Sequence, residues 1–202
     1  MSTPAASPAA SADPFVLAFG DSLVAGYGLA AADALPAQLQ QRLRRAHPHA
    51  VVQPAGVSGD TTGDALRRLP PLLGRLARQP DLALVQIGAN DVLRGVAPAV
   101  MRGRLDAILT EFDRCGIPVL LTLLQPPALL AARAAAYLGI HERLAVQHGA
   151  TTCAFFPAGV MGHPAMVLAD RVHPNAAAIA RVADALAPVV AARLRGEARA
   201  AA

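Results

Sequence analysis

The chain has 202 residues, of which 54% are apolar, 3% aromatic and 16% charged, with a formal net charge of +4. That length suits one domain with a full core, and no apolar run approaches ~18 residues without a charge or a proline, which argues against a membrane-spanning helix. The basic residues are all arginines scattered along helical stretches, aromatics are few and no nucleic-acid motif is present, so nucleic acid is not an expected partner.

Residues 1–13 are rich in alanine, serine and proline and read as a disordered tail. They have neither the basic start nor the apolar stretch of an export signal, so the expected location is cytoplasmic, unless such a signal has been removed. Residues 14–196 read as a single domain, with a short tail at 197–202. The first strand is expected at 15–19, followed by a helix whose Leu35, Leu39 and Leu43 recur every four residues. A second strand at 50–53 precedes a stripe of Leu66, Leu69, Leu72, Leu73 and Leu76, which Pro70-Pro71 is expected to divide into two short helices. The third strand, 82–87, leads to a helix carrying Met101, Leu105, Ile108, Leu109 and Phe112, which stops at Gly116-Ile117-Pro118. A fourth strand at 118–124, a helical segment at 129–148 and a fifth strand at 152–156 follow. The last helix is expected to begin near Pro174, with a kink at Pro188.

The strands are apolar nearly throughout, as strands covered on both faces should be. Five alternations of strand and helix predict an α/β fold, a parallel sheet with helices on both faces. Cys115 and Cys153 fall at a helix end and in a strand, and two free thiols are expected. The histidines show no paired spacing that would specify a metal site.

In a parallel sheet, function gathers outside the carboxyl ends of the strands. The polar residues are concentrated there, in a chain with only five serines and two asparagines. Ser22 follows the first strand in Gly20-Asp21-Ser22-Leu23. A serine hydroxyl is a weak nucleophile at neutral pH and needs a base. His173 can supply it, and Asp170, three residues earlier, can fix the imidazole tautomer and offset its charge. Candidate donors to a developing oxyanion are the Ser22 and Gly59 backbone N–H groups and the Asn90 side-chain amide. Asp21 and Asp91 read as acceptors that order their loops, and Ser58 as a turn residue. His163 reads as a surface group, with the cleft as its alternative. Leu23, Val92, Leu93, Pro126 and Leu129 lie near strand ends and are candidates for an apolar substrate pocket as well as for core.

Four blocks, Gly20-Asp21-Ser22-Leu23, Gly59, Gly88-Ala89-Asn90-Asp91 and Asp170-x-x-His173, occur in an order that resembles the SGNH, or GDSL, hydrolase family. The strings at 58–62 and 88–95 are most similar to its thioesterase I, lysophospholipase and arylesterase branch. The resemblance implies a three-layer α/β/α fold of flavodoxin type and hydrolysis of esters or thioesters. It also implies Ser22 as nucleophile, His173 as base, Asp170 as its partner, and Gly59 and Asn90 as oxyanion donors. The stretch 125–130 departs from that branch, which often carries a polar-aromatic segment there.

The expected function is therefore a serine ester hydrolase acting through an acyl-enzyme on a small-molecule acyl ester or thioester, with no cofactor and no metal. The rival readings are a carbohydrate O-acetylesterase, a silent copy of the fold used for binding, and a flavin-binding module. The apolar loop after the fourth strand counts against the first. The completeness of the four blocks counts against the second. A first loop without the serine and threonine expected of a phosphate cradle counts against the third.

Overall fold

A computed structural model of the chain describes residues 13–127 and 130–196. Five parallel strands form one sheet in the order β2-β1-β3-β4-β5, with β1 Phe15–Gly20, β2 Val51–Gly56, β3 Leu82–Gln86, β4 Val119–Thr122 and β5 Thr151–Cys153. The order reverses at β1, which pairs with β2 on one side and β3 on the other, so the loops leaving β1 and β3 part and open a crevice.

Alternation along the strands sorts the side chains into two layers. Leu17, Phe19, Ala83, Val85 and Leu121 point into one layer, where they meet α3 (Thr62–Leu73), α5 (Pro98–Arg114) and α7 (Ile140–Gln147). Val16, Ala18, Leu82, Leu84 and Leu120 point into the other, against α2 (Leu35–Leu43) and α8 (Ala176–Leu194). The Leu35, Leu39, Leu43 stripe of α2 meets Ile179, Val182, Leu186 and Val190 of α8. Each fully buried leucine of these layers contributes about 1.5–3 kcal/mol. Short helices α1 (Ser22–Ala25), α4 (Ala89–Arg94) and α6 (Ala131–Ala134) lie after β1, β3 and β4.

Several elements differ from the sequence expectation. α3 runs through Pro70 and Pro71 without a break. Both prolines are near its C-terminus and exposed, so water can reach the carbonyls whose hydrogen bonds they forfeit. Its start is fixed by a capping box in which the Thr61 side chain accepts from Asp64 N–H and the Asp64 carboxylate accepts from Thr61 N–H. Of the helical segment expected at 129–148, the described residues 130–148 do not form one helix. α6 is followed by a 3-10 turn at Ala135–Tyr137, and Gly139, at φ 77°, starts α7 afresh. β5 is only three residues long, so Phe155 and Phe156 lie beyond the sheet. β2 instead extends to Gly56 and carries Pro54, which an edge strand tolerates. The last helix begins at Ala176, capped by the Asn175 side chain on Ala178 N–H, and continues through Pro188. Pro174 sits outside it, bridged to Val167.

Cys115 and Cys153 are free thiols, and burial pushes that of Cys153 up to about 12. Asp13, assigned to the tail from composition, is held to the body: its carbonyl accepts from Arg78 at 2.7 Å. Residues 1–12 and 197–202 of the two expected tails lie outside the described residues.

Candidate active site

β1 ends at Gly20, and its approach to β3 leaves no room for a side chain. A Cβ there would stand 2.1 Å from the Gln86 carbonyl oxygen. Asp21 N–H donates to that same carbonyl, so the chain turns tightly off the sheet. The Asp21 carboxylate caps α1 by accepting from Leu23 N–H at 3.0 Å. Ser22 is thereby placed at the first position of α1, where its own N–H has no intrahelical acceptor.

The hairpin-like loop before α8 brings the histidine over from the far side. Leu168 N–H donates to the His173 carbonyl, and Asn175 N–H donates to the Met166 carbonyl. Within this loop Asp170 Oδ1 accepts from the backbone N–H groups of Val172 and His173 at 2.9 and 3.0 Å. Its Oδ2 lies 2.7 Å from His173 Nδ1. These bonds, the His173 side chain first and the two amides next, lower the Asp170 pKa to about 2. The carboxylate therefore holds a proton on Nδ1 and leaves Nε2 as the acceptor. Nε2 stands 3.1 Å from Ser22 Oγ, within reach for proton transfer.

Asn90 lies in α4, directly after β3. Its Nδ2 donates to the Asp60 carbonyl at 2.9 Å, which holds the amide at the crevice and leaves a second N–H. Gly59 has φ 87°, a conformation that favours glycine. Its carbonyl accepts from Arg94 at 2.7 Å. The loop carrying Gly59 and Asp60 is fastened to β1 by Arg68, which bonds the Asp60 carboxylate at 2.5 Å and the Gly20 carbonyl at 2.8 Å while lying over the Phe19 ring. Asp91 is fully buried and accepts from Thr62 N–H and Oγ–H, joining α4 to the start of α3. It orders its loop as the sequence suggests.

Asp21 does the same through one oxygen only. Its Oδ2 is buried without a hydrogen-bond partner. Burial first, and the charges of Asp60 and Asp91 next, push its pKa up to about 7.

Ser22, Asn90 and His173 open into a cleft of about 500 Å³. Of the residues expected to line it, Leu23, Val92, Leu93 and Pro126 do, while Leu129 lies outside the described residues. Gly59 is not part of the lining. Leu130, Phe156, Val160, Met161 and Met166 are, and these last four come from the long loop after β5, whose contribution was not read from the sequence. The two walls are tied by Gln125, whose amide donates to the Phe156 carbonyl and accepts from Phe156 N–H. His163 is not in the lining; its Nδ1 accepts from Ala165 N–H in a 3-10 turn.

Tyr27 was also missed. Its ring lies 4.3 Å from that of His173, centroid to centroid, at an interplanar angle of 34°. The only signal in the sequence is its place one turn past Ser22, after Gly26, which is left-handed at φ 76° and turns the chain back.

The GDSL-like lipase/acylhydrolase family pattern matches residues 18–181. Esterase TesA of Pseudomonas aeruginosa is 34% identical over 177 residues, 87% of each chain. Thioesterase 1/protease 1/lysophospholipase L1 of Escherichia coli K12 is 36% identical, over 89% of this chain and 84% of the relative. Among solved structures, that of AlinE4, described as an SGNH-hydrolase family esterase, is 39% identical with a TM-score of 0.73 and covers 91% of this chain and 98% of its own. By its sequence from β1 into α8, and by the sheet that sequence builds, the chain belongs to the GDSL-like lipase/acylhydrolase family.

Proposed function

We propose that the protein is a serine esterase that hydrolyses carboxylic esters, thioesters included, through an acyl-enzyme. One observation carries the reading: an Asp170–His173–Ser22 chain of hydrogen bonds of 2.7 and 3.1 Å opens onto an apolar cleft. Relatives named as esterases and a thioesterase support the reaction class.

Ser22 Oγ attacks the acyl carbon while His173 Nε2 takes its proton. The carbonyl oxygen becomes an oxyanion that the Ser22 N–H and the free N–H of Asn90 face, and Gly59, outside the lining of the cleft, would join them as a third donor only if its loop moves toward the substrate. As the C–O or C–S bond breaks, His173 returns the proton to the leaving alcohol or thiol. Water then repeats the sequence: His173 takes its proton, the hydroxide oxygen bonds the acyl carbon, and Ser22 recovers its hydrogen. Asp170, ionised throughout the neutral range, offsets the imidazolium charge in both halves.

The cleft lining favours a hydrocarbon acyl chain over a sugar. Leu23, Val92, Leu130, Phe156, Val160 and Met161 offer little to a hydroxyl group. Each buried methylene adds up to about 0.8 kcal/mol of binding. Specificity constants on p-nitrophenyl esters are expected to rise from acetyl to medium-chain acyl groups and then level. A strict preference for acetyl would transfer the assignment to O-acetylesterase. Labelling by a fluorophosphonate, lost in Ser22→Ala, tests the acyl-enzyme directly, and unlabelled wild-type protein would refute it.

A further inference from the structure

Arg171 is the one non-glycine residue with positive φ among the described residues, at 58°. That region favours glycine, and a large side chain held in it points to a task. Arg171 stands between the two loop members of the hydrogen-bonded chain, Asp170 and His173, and it lines the cleft. It is exposed, and among the described residues its guanidinium has no side-chain hydrogen bond or ion pair. The other arginines near the mouth are engaged: Arg94 with the Gly59 carbonyl and Arg133 with the Leu93 carbonyl. Apart from Asp21 and His173, the rest of the lining has no ionisable side chain.

The guanidinium is therefore an uncommitted cation on the wall of an otherwise apolar cleft. It also lies on a defined side. His173 delivers its proton to the leaving oxygen, so the leaving group sits against the loop that carries His173, and Arg171 is two residues away on that loop. We infer that Arg171 is a specificity-determining residue that recognises an anionic group on the leaving portion of an acyl ester. The substrate class is an ester of an apolar acid with an alcohol or thiol bearing a carboxylate or another oxyanion. A planar fork of donors suits such a group. This inference rests on the esterase reading above.

The test compares three hexanoyl-length esters on wild-type protein and on Arg171→Gln, Arg171→Lys and Arg171→Glu. One has an anionic leaving group, 4-(hexanoyloxy)benzoate, and one a neutral leaving group, 4-(hexanoyloxy)benzamide. The third is the 4-carbamoylphenyl monoester of adipic acid, whose anion lies at the far end of the acyl chain. The readout is the ratio of specificity constants, anionic to neutral, which cancels effects on the chemistry common to both. The benzoate-to-benzamide ratio is expected to fall roughly two- to fivefold in Arg171→Gln, as for a solvent-facing charge pair. It should fall further in Arg171→Glu and be largely kept in Arg171→Lys. In wild-type protein it should shrink as salt is raised. The adipate ratio should not move. A benzoate ratio equal in wild type and Arg171→Gln overturns the inference, as does an adipate ratio that falls in step with it. Should glutamine compromise the fold, Arg171→Gly, which suits φ 58°, and the salt dependence of the wild type decide the same question. Wild-type protein that hydrolyses none of the three esters overturns the esterase reading itself, whereas hydrolysis with an unmoved ratio overturns only the role of Arg171.

Discussion

The Tyr27 ring lies against the His173 ring at 4.3 Å, so the imidazole is held on one face by an aromatic group and at Nδ1 by Asp170. Asp170 fixes the tautomer. Tyr27 limits the swing of the ring about its side-chain torsions, and Nε2 stays aimed at Ser22 Oγ. An aromatic pair is worth about 0.5–1.5 kcal/mol, which as a barrier change corresponds to roughly two- to tenfold in rate. Tyr27→Leu should lower kcat by that amount with little change in KM, and Tyr27→Phe should restore it. Equal damage from both variants would make the Tyr27 hydroxyl, rather than its ring, the active part.

Ser22 and His173 act as one unit if the 3.1 Å bond between them is the route of the proton. Ser22→Ala and His173→Ala should each remove nearly all turnover, and the double variant should be no worse than either. Steady-state rates on one p-nitrophenyl ester check this. Losses that multiply in the double variant would show that the two side chains contribute separately.

Asn90 has one N–H committed to the Asp60 carbonyl and one available to substrate. Asn90→Ala should lower kcat roughly 100-fold or more, the usual consequence of losing a donor to an oxyanion. KM should change little, because the charge it serves exists only in the transition state. An effect confined to KM would make Asn90 a ground-state binding residue.

Asp21 makes a contribution to stability that falls as pH rises from about 4 toward neutrality. Its folded pKa, near 7, lies above the 3.8 of the unfolded chain, so between these values the native state holds the extra proton. The contribution is fully present below about pH 4 and is lost as pH rises through 7. Its size is on the order of 2–4 kcal/mol. Asp21→Asn can still cap α1 while removing the titration, so urea midpoints at pH 5 and pH 8 should lie closer together than in wild type. His148 adds a slope of the same sign. Burial opposes its charge, but its bonds to Asp106 at 2.8 Å and Asp113 at 2.5 Å outweigh that and raise its pKa. His148→Gln in the Asp21→Asn background should remove a further part of the fall, while His141, whose pKa burial lowers, keeps a slope of opposite sign over the same range. An unchanged gap between the two midpoints in Asp21→Asn would remove Asp21 from the account.

What was legible in the sequence follows from the range of each interaction. The apolar runs at 15–19 and 82–87, the second interrupted only by Gln86, could hardly be anything but buried strands, and both lie within a residue of β1 and β3. The short polar strings after them marked Ser22 and Asn90 because local chain geometry puts a residue at a strand end wherever the strand ends. Tyr27 and Phe156 were not legible. Their placement depends on loops crossing from different parts of the chain, and nothing in a local window reports that. The Pro70-Pro71 expectation failed for a different reason: the cost of a helical proline depends on whether water can reach the freed carbonyls, and exposure is a tertiary property. Residues 152–156 misled because Phe155 and Phe156 have the composition of a strand but serve as packing and as cleft wall.

Beyond the ends of β4 and β5, the two chains are still joined, but by one side chain in place of a backbone ladder. The paired bonds of Gln125 to the Phe156 N–H and carbonyl occupy the register that two further strand residues would have taken. A ladder opens cooperatively with its sheet, whereas a single amide can let go alone. The Phe156 N–H should therefore exchange with solvent deuterium through a local fluctuation, well before the amides within β1 and β3. Such parting at the far wall would widen the cleft for a bulky acyl chain without disturbing the parallel sheet beneath it.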